Sequence, residues 1–162
     1  MPEGSSMLPQ GLSVPPMDQL LEPLIPELVL VGGILLVLLI DLAAGRRPFQ
    51  QTALALSGLT LLGYLGMSFF AIEADRFRLP DPTLLFASSG GQFYWRILIL
   101  AATAGGLLLH AGERQGSGQR SEVPLFWLGL ALGLALLAMA QHLVSFYVSF
   151  ELVSLCSYVL VA

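Results

Sequence analysis

Five stretches of mostly apolar residues, each about 18 to 21 residues long, constrain this chain more than any other feature. They fall near 24–44, 52–72, 93–111, 123–140 and 142–162. An α-helix rises about 1.5 Å per residue, so about 20 residues cross the roughly 30 Å hydrocarbon core of a bilayer. Hydrocarbon offers no hydrogen-bond partners, so a spanning segment must satisfy its own backbone as a helix or join a closed barrel. Barrel strands need only about 10 residues with alternating polarity, and these segments are longer and apolar on all sides. The expected fold is an all-α, polytopic transmembrane bundle over residues 22–162, preceded by a polar tail, residues 1–21, rich in Pro, Ser, Gly and Met and lacking helical periodicity.

Composition agrees with a bilayer as solvent. Hydrophobic residues make up 56% of the chain and charged residues 11%, against about 25% charged in a soluble domain. All seven basic residues are Arg, none is Lys, and the net charge is -4. No clustered basic footprint for nucleic acid is present. The single Cys156 lies inside an apolar stretch. It supports neither a disulfide framework nor a Cys/His metal constellation and reads as a small buried hydrophobe. The first apolar stretch begins too far into the chain, after too acidic a tail, for a cleavable signal, and is expected to stay as a membrane helix.

The segment ends carry the expected chemistry. Pro26 and Glu27 open the first helix, where proline fits the first turn and a carboxylate meets the positive end of the helix dipole. Phe93, Tyr94, Trp95 and Arg96 open the third as an interfacial aromatic belt, with Arg96 expected to snorkel outward. The fourth and fifth segments are so closely joined that they must form an antiparallel hairpin. Arg46, Arg47, Arg114 and Arg120 lie in the first and third loops, against Arg76 and Arg78 in the second and none in the tail. That bias places the N-terminus outside. Gly32 with Gly33, Gly105 with Gly106, and Gly129 with Gly133 are expected at helix contacts, where small residues let backbones approach.

Against this apolar background Glu151 stands out. It lies nine residues after His142 and eleven before Ala162, about 13 to 16 Å from either end of its helix and so near the bilayer centre. A carboxylate there costs about 2.5 kcal/mol or more on insertion scales, and such residues mark ion pathways or proton relays. Tyr147, Glu151, Ser154 and Tyr158 follow spacings of 4, 3 and 4 and share one helix face. Their hydroxyls can hydrogen-bond the carboxylate or hold water beside it. The competing reading is a protonated Glu151 acting as glue to a neighbouring helix. Asp41 and His142 read as interfacial groups, His110 as a partner of its helix's negative dipole end, and Glu27 as a helix-start residue.

At these residues a family resemblance appears. The run His142 to Ala162, with Glu151-x-x-Ser154 and Tyr158-x-Leu160, resembles the fifth transmembrane helix of the antiporter-like subunit N of proton-pumping NADH:quinone oxidoreductase, respiratory complex I. The equivalent subunit of photosynthetic complexes is similar. The opening Leu24-x-Pro26-Glu27 and the later Asp41-Leu42 resemble that subunit's first helix. The resemblance covers about Leu24 to Ala162, the N-terminal part of the family's subunit. It implies that Glu151 pairs with a lysine on a later helix, in a subunit that translocates protons while electrons pass from NADH to quinone. It also implies that FMN, iron-sulfur clusters and the NADH and quinone sites belong to other subunits, with no cofactor in this chain. Expected partners are the other membrane subunits of complex I and the lipid bilayer, and the expected location is the bacterial plasma membrane. Five helices are fewer than the family's, and no Lys is present, so the lysine must come from C-terminal helices of a longer chain or from a partner polypeptide. Two other readings stay open on the residues alone: a subunit of a multisubunit cation/proton antiporter, and a non-catalytic membrane scaffold or assembly protein.

Overall fold

A computed structural model describes residues 24–44, 50–75, 92–112 and 122–161. The N-terminal tail and the six loop arginines used for orientation lie outside the described residues. Five helices run in order: α1 (Ile25–Ala44), α2 (Gln50–Asp75), α3 (Gln92–Gly112), α4 (Val123–Met139) and α5 (Leu143–Val161). The described residues thus form an all-α bundle. Four of the helices are long and apolar enough to cross a membrane, while α4, at 17 residues, is shorter. That differs from the expectation of five full-length spans. Pro124 near its start and extended backbone at Ala140 (φ -65°, ψ 124°) bound α4, leaving about 25 Å of helix.

The short helix is the central one. It packs against the four other described helices, whereas among these the principal packing of α5 is on α4. Every residue of α4 is buried or half-buried, as expected of a helix that is apolar all round. Outer helices instead present leucine and phenylalanine to the surroundings, including Leu39, Leu62, Phe70 and Leu109. The core joins Leu30 and Val37 of α1, Leu61 and Tyr64 of α2, Leu100 and Leu107 of α3, and Leu128 and Ala135 of α4.

Glycine sets the closest approaches. A methyl group at Gly33 would collide with Thr60 on α2, and one at Gly106 with Trp127 on α4. At Gly129 it would meet the Cys156 sulfur, and at Gly133 both Val153 and Leu152. The last two contacts pair rising α4 numbers with falling α5 numbers, so the α4–α5 hairpin is antiparallel. Gly32 and Gly105, expected at contacts, have nothing within 4 Å of an added methyl. In each of these pairs the neighbouring glycine, 100° round the helix, is the one that faces a partner. Cys156 is buried at the hairpin seam.

Two glycine replacements test this packing. Gly133→Ala forces the new methyl onto the Val153 backbone nitrogen, 3.1 Å away, and should cost about 1 to 3 kcal/mol. Gly32→Ala meets nothing and should stay within about 0.5 kcal/mol of the parent. Unfolding midpoints in mild detergent compare the two, and equal midpoints would contradict the seam described here.

Candidate functional site

Among the described residues, two groups of polar side chains within the apolar helices include a carboxylate away from the loops: one around Glu151 and one around Glu27. The first is the stripe on α5. Glu151 is the ninth of the 19 residues of that helix. Ser145, Ser149 and Cys156 are the buried residues of α5 and define the face that meets α4. At 100° per residue, Tyr147, Glu151, Ser154 and Tyr158 sit about 140° to 180° around from Ser149. The stripe therefore points away from α4. Glu151 is exposed, Ser154 half-buried, and Tyr147 and Tyr158 are 61% and 76% exposed.

Within the stripe, Tyr147 and Glu151 lie one turn apart, and their side chains interact electrostatically. The backbone carbonyl of Ser154 accepts from the Ser157 hydroxyl at 3.0 Å. On the buried face Ser149 donates to the Ser145 carbonyl at 2.8 Å and Ser145 to the His142 carbonyl at 2.8 Å. Such back-bonding lets serine sit in an apolar seam at little cost. His142 is exposed just before α5, and Asp41 lines a shallow groove of about 230 Å³ with Glu122, Leu125 and Phe126. His110 lies in the last turn of α3.

The second group was not foreseen. Arg96 does not snorkel outward, and Glu27 is more than a helix-start residue. The guanidinium Nη2 donates to Glu27 Oε1 at 2.9 Å, with both side chains 3% exposed. Tyr64 of α2 donates to the same carboxylate oxygen at 3.4 Å, and Arg96 Nη2 also contacts the Met139 sulfur at 3.3 Å. One ion pair thus ties α1 to α3, with α2 and the last residue of α4 attached. Snorkelling fails because Arg96 sits in the fifth position of α3 on its inward face, where a carboxylate is in reach and water is not.

A signal for this pair existed. Glu27 and Arg96 are opposite charges, each about one turn inside the start of an odd-numbered helix, and odd-numbered helices begin on the same side of a membrane. Ionisable groups in membrane segments pair with one another. Reading each residue against its own helix end alone hid the match.

The arrangement offers one carboxylate on an open face at mid-helix and one already neutralised inside the bundle. Among the described residues no three His, Cys, Asp or Glu side chains converge to hold a metal ion.

The chain is 34% identical over 144 residues to "NADH-quinone oxidoreductase subunit N 2" of Sorangium cellulosum, covering 83% of the chain and 28% of that relative. It is 33% identical over 141 residues to "NADH-quinone oxidoreductase subunit N 1" of Thermodesulfovibrio yellowstonii, covering 86% and 29%. With "NADH-quinone oxidoreductase subunit N" of Geobacillus kaustophilus the identity is 31% over 144 residues, covering 83% and 27%. The chain therefore spans less than a third of the length of these curated relatives. No family model matches the chain, and no solved structure matches it.

The ion pair makes a quantitative prediction. Arg96→Leu alone leaves Glu27 buried without its cation and should cost about 3 to 5 kcal/mol, whereas Glu27→Leu with Arg96→Leu should recover most of that loss. Detergent-resistance midpoints of the single and double variants measure the difference. A double variant no more stable than the single would show that Arg96 acts through something other than Glu27.

Proposed function

The chain belongs to the NADH-quinone oxidoreductase subunit N family, and on that premise we propose that it serves in the membrane arm of a proton-pumping NADH:quinone oxidoreductase, with Glu151 taking part in proton translocation. The observation that carries this reading is the placement of Glu151: mid-helix, on a polar stripe turned away from α4. A carboxylate and two phenols facing lipid at that depth would be costly. Further helices of the same subunit, or of a partner chain, cover the stripe and supply the cation that Glu151 faces. The short coverage of the relatives accords with helices beyond those described.

The chemistry follows from what a carboxylate can do in a low-dielectric site. Glu151 holds a proton or a negative charge according to the charge opposite it. Movement of a proton onto or off that neighbour changes which state Glu151 prefers. Tyr147 steadies the carboxylate, and Ser154 and Tyr158 line the same face, where water can bridge hydroxyls into a proton path. Electron transfer from NADH to quinone takes place in other subunits, which hold the FMN and iron-sulfur clusters. The membrane is the bacterial plasma membrane, with the N-terminus outside, following the arginine bias of the loops.

Glu151→Gln tests the proposal, because glutamine keeps size and hydrogen bonding but does not ionise. In vesicles containing the assembled complex, the variant should keep NADH oxidation and lose most of the proton uptake coupled to it. Proton pumping at the parental ratio in an assembled Glu151→Gln complex would instead make Glu151 a packing group. Pumping that required sodium would point to a cation/proton antiporter subunit.

A further inference from the structure

The buried pair lies where α5 is joined to the rest of the bundle. Helix α4 ends at Met139 and α5 begins at Leu143, so three residues separate them. The last turn of α4 is held from α3 at two points: Gln92 Nε2 donates to the Ala138 carbonyl at 3.5 Å, and Arg96 Nη2 contacts the Met139 sulfur at 3.3 Å. A guanidinium at a helix C-terminus also suits the negative end of the dipole. Arg96 in turn is held by Glu27 at 2.9 Å, and Glu27 by Tyr64 at 3.4 Å. Three helices thus converge on the end of the fourth.

Among the described helices, α5 has its principal packing on α4. On its packed face, then, α4 seats α5, and with it Glu151, eight residues or about 12 Å beyond the start of α5. An unpartnered donor and acceptor lie within the pair: Glu27 Oε2 and Arg96 Nε are buried and have no partner among the described residues. They are complementary, but in this structure the ion pair is made by Nη2 and Oε1.

Resting on the assignment of Glu151 to proton translocation, we infer that Glu27 and Arg96 are positioning residues for Glu151, acting through the α4–α5 elbow. When either charge is removed, the other is left buried and draws towards the membrane boundary, about one turn away. Arg96 then leaves Met139, the elbow loosens, and α5 tilts on α4. The carboxylate of Glu151 is displaced from its partner although nothing at Glu151 has changed.

The test uses the full complex in vesicles, with Glu27→Gln, Arg96→Gln, the conservative Arg96→Lys, and Glu151→Gln as comparator. Two quantities are read: protons taken up per NADH oxidised, and maleimide labelling of Cys156, located by peptide mass spectrometry. Cys156 lies buried against Gly129 in the α4–α5 seam and reports its opening. The expected result is a several-fold loss of pumping with electron transfer retained in each assembled Gln variant, faster Cys156 labelling, and a smaller change in both in Arg96→Lys, which keeps a cation beside Glu27 and Met139. A merely stabilising pair would change complex abundance but leave protons per NADH unaltered in what assembles, and that outcome overturns the inference. If a Gln variant does not assemble, Arg96→Lys decides: lowered protons per NADH with faster Cys156 labelling sustains the inference, and unaltered values of both overturn it. Normal pumping in Glu151→Gln removes the premise instead. Cys156 labelling then separately upholds or refutes the link between the pair and the seam.

Discussion

Hydrocarbon cannot accept or donate a hydrogen bond, and that constraint governs every level of this protein. It turns each apolar segment into a helix, because only a helix satisfies its own backbone. It also requires each polar side chain inside the membrane to find a partner within the protein. Ser57, Thr60, Thr103 and Ser149 meet the requirement locally by donating to the carbonyl four residues back. Arg96 and Glu27 meet it across the bundle. The α5 stripe meets it only in part, through the Tyr147–Glu151 contact, so its remaining polarity is what directs attention to a covering partner.

Because lipid tails are as apolar as leucine, burial of leucine between helices brings little gain, and close packing has to hold the bundle. This explains the position of α4. Its alanines and glycines let neighbours approach, and its shortness matters little where neighbours surround it. Gly129 and Gly133 seat α5 through Cys156, Val153 and Leu152. The same seam turns the smooth side of α5 inward and the polar side outward, so packing and candidate chemistry occupy opposite faces of one helix.

Much of this was legible from residues. Length and hydropathy located five helices within a few residues of their ends. The main exception is α2, which continues from Gln50 to Asp75 because polar helix-forming residues extend it beyond its apolar stretch. The spacing of Tyr147, Glu151, Ser154 and Tyr158 placed all four on one face, since a single helix determines that. Gly33 and Gly106 could not be told from Gly32 and Gly105, because adjacent residues differ only in direction, and direction has meaning only once a neighbour is placed. Glu27 and Arg96 were each read against their own helix end, where a dipole and an interface supplied adequate explanations.

By itself, the sequence determined the solvent, the helices found among the described residues and the existence of a polar stripe at mid-helix. These depend on composition and on the 3.6-residue period, which are local. Tertiary structure alone decided which helix is central, that the stripe faces away from α4, and that Glu27 and Arg96, 69 residues apart, form a buried pair. Those facts depend on how helices rotate about their axes to bring small residues together and to neutralise charge. No single segment carries that information, because the free energy of each rotation is set by the helix on the other side of the contact.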